Sequence, residues 1–341
     1  MRRMCLIYLL FAAILMTASC QRRPFSDASS AVNLKLRINT KVVHEEDIKL
    51  PDLMCVQLCD INTGDVVYTD YVPPTGGYIY PEPGHYDFLV YNINTESTVL
   101  KNEANFNTVE AYTNPVSAFI KSQLSQFLAK RAEIRNQMAA QKEEKQNKSS
   151  EKPADDSKAP EEEVIVNEPD HLFVGRSKDV VIPAFAVDED TEIVIEMDAA
   201  TVVETWLIEA VNIEGLQWVS SVSALITGMV ESNFIGPGEK SEGAVTIYFE
   251  MSRTHNSLIG YYRTFGKHPR FSNDLTIGFN VTDTQGGEHH FIFDITDEYL
   301  DNPERHIIIP DKIVIPEPII TGGGLAPTVD DWEEVKTDIN L

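Results

Sequence analysis

The 341-residue chain carries 53 acidic against 28 basic side chains, a formal net charge of −25. A polymer this acidic repels nucleic acid and anionic lipid surfaces, which excludes a nucleic-acid role on electrostatic grounds and favours solubility outside the cell. The length suits two domains, and beyond the first residues no apolar run is long enough to span a bilayer.

The chain opens with Arg2 and Arg3, an apolar run from Leu6 to Met16, and then Thr17-Ala18-Ser19-Cys20. A basic start, an apolar core of about a dozen residues and small residues before a cut are the requirements of a secretory signal. The run is shorter than the roughly 20 residues of a spanning helix. Residues 1–20 therefore read as a lipoprotein signal peptide cut before Cys20, whose thiol takes the lipid. Loss of the two signal arginines moves the net charge from −25 to about −27. The lipid is then the expected membrane attachment.

Residues 21–31 form a polar tether, after which Val32, Leu34, Leu36 and Ile38 alternate with Asn33, Lys35 and Arg37, the period of a strand with one buried face. Leu53–Cys59 and Val66–Tyr71 flank the turn Asn62-Thr63-Gly64-Asp65 and predict a hairpin. Pro81-Glu82-Pro83-Gly84 leads into a further strand, His85–Tyr91. On one strand Cys55 and Cys59 would stand about 13 Å apart at ~3.3 Å per residue, beyond disulfide reach. They are expected to pack as small apolar side chains unless a bulge or turn brings them together.

From Pro115 the pattern changes. Ile120, Leu124, Phe127, Ile134 and Met138 put an apolar stripe on a helix of about five to six turns. It runs into Gln141–Glu163, a charged stretch too poor in apolar groups to offset its ordering entropy, read as a disordered linker. Strand patterns resume at Leu172-Phe173-Val174, with a turn around Gly175 before Val180-Val181-Ile182. Two long strand patterns from Glu192 to Ile213 break near Asp198. Further strands follow at Val219–Ile226, Ala244–Phe249, Leu258–Phe265, Leu275–Val281 and His290–Ile295, the last entered by the hairpin turn Gln285-Gly286-Gly287.

Closely spaced strands without intervening helices predict an all-β fold of two β-sandwich domains. The first spans 32–188 with a helical and charged insertion at 119–165, and the second spans 189–316. The joint falls at Asp188–Thr191, and 317–341 is a flexible acidic tail.

Tests for chemistry return nothing. His44-Glu45 begins a zinc-protease pattern, but Ile48 stands where the second His belongs. His289 and His290, adjacent on a strand, face opposite sides. Asp188, Asp190 and Glu192 alternate as in a calcium loop, yet Ile193 and Ala199 replace the turn Gly and closing Glu, leaving a solvated acidic linker. Gly322-Gly323-Gly324 opens no helix, so it reads as a hinge and not as a phosphate cradle. No enzyme, metal site or cofactor is expected.

Several segments together carry a family likeness: Pro81–Asn92, Val109–Thr113, Ser221–Met229, Leu275–Val281, Phe291–Ile295 and Val329–Glu334. In this order, with the lipid-attachment motif, they resemble an uncharacterised Bacteroidales lipoprotein family related to fimbrillin-associated anchor and minor fimbrial proteins. The likeness spans nearly all the mature chain except about Ala118–Asp170. It implies two transthyretin-like sandwich domains and an outer-membrane lipoprotein that anchors or assembles fimbriae, with Cys20 as the residue carried over. The chain departs from some surface lipoproteins of this phylum in having Gln21-Arg22-Arg23, not acidic residues, after the lipid Cys.

The expected function is thus structural: a fimbrial anchor or accessory subunit, lipid-anchored in the outer membrane, that takes partner subunits by strand addition at sheet edges. Val329, Trp332 and Val335 are apolar groups in the acidic tail and candidate partner contacts, the alternative being that Trp332 docks on its own domain. A second reading is a surface glycan-binding lipoprotein using Tyr78, Tyr80, Tyr261 and Tyr262 as an aromatic platform.

Overall fold

A computed structural model describes residues 31–45, 48–125, 127–129, 133, 164–183, 193–268, 275–299 and 302–318. Among these residues strand outweighs helix 57% to 8% and the sheets are curled, so the fold is nearly all β, as expected. The early strands are β1 (Val32–Asn39), β2 (Met54–Asp60), β3 (Val66–Val72), β4 (Gly76–Ile79), β5 (Gly84–Asn92), β6 (Thr98–Lys101), β7 (Glu110–Thr113) and β8 (Ile165–Asn167). Then come β9 (Phe173–Ile182), β10 (Ile193–Thr201), β11 (Glu204–Ala210), β12 (Ile213–Glu214), β13 (Val219–Val230), β14 (Ser232–Phe234) and β15 (Glu239–Lys240). The last are β16 (Ala244–Arg253), β17 (Leu258–Thr264), β18 (Thr276–Asp283), β19 (Glu288–Asp294), β20 (His306–Ile309) and β21 (Ile313–Val314).

The first sheet runs β3-β2-β5-β9-β10-β1-β4. Alternation puts Leu34 and Leu36 of β1, Val56 and Leu58 of β2, Phe88 and Val90 of β5 and Met197 of β10 on one inner face, where they form a single buried cluster. The turn Pro73–Gly76 joins the two end strands β3 and β4, and Tyr80 N–H donates to Tyr68 Oη at 3.0 Å, so these edges curl together. The second sheet runs β19-β18-β13-β16-β17-β11-β20, with β8 added in parallel to β16. Its inner face buries Trp206, Ile226, Phe249, Tyr262, Phe279 and Ile307.

Strand β2 is buried on both faces. Its other side, with Cys55 and Cys59, packs with Leu89, Tyr91, Phe106, Val109, Val230, Ile235 and Phe265 in a third cluster. The roof over that cluster is a small sheet, β15-β14-β7-β6, in which two strands come from each half of the chain. Both cysteines are free and buried, and burial, then the Asp87 charge, pushes the Cys59 thiol up to about 12. They stay neutral and serve as packing, as their spacing indicates.

The two halves interlock further. Arg176 Nε donates to the Ile235 carbonyl. His44 Nε2 lies 2.6 Å from the Glu304 carbonyl, and Glu45 pairs with His171 and accepts from Thr205 Oγ1 at 3.1 Å.

Several expectations change here. The joint at 188–191 lies outside the described residues, but β10, read as the start of the second unit, pairs in parallel with β1 in the first sheet. The break in the following pattern falls at Val202–Val203 and not at Asp198, whose carboxylate is held by Arg37 at 2.5 Å. Gly175 makes no turn: β9 runs straight through it. A Cβ there would meet Met197 Sδ at 2.8 Å, so this glycine permits close approach of β10. The insertion leaves from the first half but docks on the second sheet through the helix Ala118–Gln123 and β8.

Candidate functional site

Cys20, Val329, Trp332 and Val335 lie outside the described residues, as do Ile134, Met138, Asp188, Asp190 and Gly322–Gly324. The four tyrosines do not assemble. Tyr262 is 0% exposed in the second core, Tyr261 is exposed on the second sheet, and Tyr78 and Tyr80 are exposed at the β4 end of the first. Tyr262 leaves the proposed platform on that ground, since alternation turns Tyr261 out and Tyr262 in, while Tyr78, Tyr80 and Tyr261 stay exposed. Among the described residues no group of three or more His, Cys, Asp or Glu is gathered as metal ligands would be, and no helix is long and apolar enough to cross a membrane.

Two features of the second sheet remain. One is an edge. Among the described strands β19 has a single neighbour, β18, with which it keeps unbroken register from Thr276↔Asp294 to Thr282↔Glu288. It is 7 residues long and contains no Pro, Lys or bulge, the devices that blunt natural edges. The opposite edge strand, β20, has 4 residues and is followed by Pro310.

The other is the outward face of β19-β18-β13-β16, which the pairing resolves into rows. Ile292, Gly278, Leu225 and Tyr248 align across the four strands. One step along, about 6.6 Å away at two residues, lie His290, Asn280, Ser223 and Glu250, and beyond them Glu288, Thr282 and Ser221.

The first row is covered except at Tyr248, which reaches a groove along the second row. Ser117 Oγ caps the helix by accepting from Ile120 N–H at 3.3 Å, and Leu124 and Phe127 then bury against Leu225 and Ile165. Phe127 is 0% exposed, with its ring 5.3 Å from that of His290. A Cβ on Gly278 would fall 2.4 Å from Phe127 Cζ, so the sheet has a glycine where the ring sits. The helix, legible as a stripe, thus finds its seat on a row that alternation alone would assign to solvent.

The second row is polar, and there the cover by the described residues stops. A groove of about 610 Å³ opens along it, walled by Ile120, Gln123 and Leu124 and floored by Ser221, Ser223, Tyr248, Glu250, Asn280 and Thr282. Burial, then the charge of Glu250, raises the Tyr248 hydroxyl above its ordinary value, so it stays protonated. Asn280 is 8% exposed, and among the described residues its side-chain oxygen has no hydrogen-bond partner. The sequence held a signal for this floor, the run of small polar residues at the outward positions of β13 and β18, but not for its cover.

Fold and surface together define an all-β scaffold of two curled sheets tied by a shared small sheet. Residues 19–250 match the family model described as DUF5119, a domain of unknown function, and the chain belongs to that family. It is 24% identical over 258 residues, 75% of this chain and 63% of the relative, to a Bacteroides ovatus protein named "Putative fimbrium anchoring subunit Fim4B". The chain therefore matches less than two thirds of that relative's length. A Bacteroides ovatus crystal structure described as a "putative adhesin" superposes with a TM-score of 0.58 at 20% identity, covering 88% of this chain and 98% of that one. The fimbrial anchor protein Mfa2 of Porphyromonas gingivalis gives a TM-score of 0.41 at 10% identity over 82% of this chain and 90% of that one.

Proposed function

We propose that this protein is a fimbrial anchor or accessory subunit: a structural, non-catalytic lipoprotein of the outer membrane, held by a lipid on Cys20. The observation that supports it most is the match to a fimbrium anchoring subunit across 75% of the chain. Its two curled sheets are read as transthyretin-like sandwich units. Partner subunits add a strand at the β19 edge of the second sheet, where β18 is the single neighbour among the described strands. The tail residues Val329, Trp332 and Val335 supply a further contact.

The test has two arms in the native bacterium. Labelling with radioactive palmitate marks the wild-type chain and leaves Cys20→Ala unmarked, and a wild-type chain that takes no label overturns the anchor. Fimbrial subunits co-purify with the full chain and fall away when Asp330–Leu341 is deleted. Unchanged co-purification removes the tail from the interface, and absence of fimbrial subunits from the wild-type preparation overturns the function itself.

A further inference from the structure

We infer that the groove beside the helix Ala118–Gln123 is a binding site for a neutral saccharide. Its volume of about 610 Å³ lies within the roughly 300–1,000 Å³ of ligand sites. Its chemistry argues the ligand class. A buried amide oxygen costs free energy when it has no donor. Asn280 is more than nine-tenths buried, lines the groove and has such an oxygen. Across the floor stand Ser221, Ser223 and Thr282, small hydroxyls that both donate and accept, with carboxylates at Glu250 and Glu288 and the guanidinium of Arg253, which donates to the Leu216, Gln217 and Val219 carbonyls.

A ligand that satisfies this floor presents many donors and carries no negative charge. Glu250 and Glu288 outnumber Arg253 and disfavour an anion, and Ile120 and Leu124 leave one side of the groove suited to the CH face of a sugar ring. A lone basic side chain would satisfy the carboxylates but bring no acceptor to the row of two-way hydroxyls, whereas each hydroxyl of a polyol both donates and accepts. The helix contributes position: Phe127 over Gly278 sets where cover ends and floor begins. The groove shares Glu288 with β19, but its floor lies on β13, β16 and β18, so it adds a second activity to the same sheet.

The experiment uses the mature full chain, residues 21–341, on a microarray of neutral hexose and N-acetylhexosamine oligosaccharides, with sulfated and sialylated glycans alongside. Titration calorimetry follows on the strongest neutral oligosaccharide. Binding to neutral glycans is expected, and Asn280→Leu is expected to weaken it about tenfold, the worth of one hydrogen bond in such a site. The same variant keeps or raises the melting temperature, because it removes an unsatisfied buried amide, which separates loss of binding from loss of fold. Glu250→Gln serves as a second variant that leaves the core untouched and weakens binding. No neutral glycan bound, a preference for the anionic glycans, binding undiminished in both variants, or displacement of the oligosaccharide by oligolysine would each overturn the site.

Discussion

Two adjacent rows on the same four strands meet opposite fates. Ile292, Gly278 and Leu225 are roofed by Leu124 and Phe127, whereas Asn280, Ser223 and Glu250 one step along border an open groove. Backbone geometry is shared, so the difference lies in side chains alone. An apolar row with a glycine notch recruits a helix because the ring fills the notch and the transfer of its surface from water is favourable. A polar row repels the same cover, since burying its hydroxyls and carboxylates without partners costs more than the helix returns.

The largest break in that comparison is expected from Phe127→Ala. Removing a fully buried ring costs about 3 kcal/mol, and the helix then detaches, which denaturant unfolding and faster tryptic cleavage beside Lys121 detect together. Gly278→Val attacks the same seat from the sheet side. The added Cβ starts 2.4 Å from the ring, so a loss of about 1–3 kcal/mol is expected, with the helix again protease-sensitive while the second core stays folded.

A third variant uses a polar cluster closed by its own partners. Burial pushes the Glu45 carboxyl up, but the His171 ion pair and hydrogen bond, the Thr205 hydroxyl and the Arg263 charge outweigh it and hold the group below its ordinary 4.5. A depressed carboxyl stabilises the fold above its unfolded value and loses that contribution as pH falls through the folded one. Melting temperature measured downward from pH 5 therefore declines, and Glu45→Gln flattens part of that acid limb while ligand binding in the groove beside Asn280 is unaffected. The smallest effect belongs to the open row. Ser223→Ala is expected to change stability by no more than about 0.5 kcal/mol, and a larger loss would show that the row is covered.

Much of this was legible before any coordinates. The alternation of β1 is long enough to fix its buried face, the apolar runs of β2 and β5 mark them as strands, and Ile120, Leu124 and Phe127 announce a helix with one apolar side. What stayed hidden depends on partners far away in the chain. Gly175 looks like a turn until Met197 is seen against it. The strands of the shared sheet, β6, β7, β14 and β15, have 4, 4, 3 and 2 residues, too few to show a period. Asn280, between Phe279 and Val281, reads as an ordinary outward position. That it is buried and unsatisfied follows only from the helix wall and the neighbouring strands.

The parallel register of β1 with β10 has a mechanical meaning. Eight residue pairs, Val32↔Ile193 through Asn39↔Ala200, lie side by side with both strands pointing the same way. Tension applied ahead of Val32 and resisted beyond Thr201 pulls the two strands in opposite directions along their common axis. Such a load strains the whole ladder at once in shear and does not peel it rung by rung. A chain tethered at its front and dragged from behind would meet its stiffest resistance at that seam.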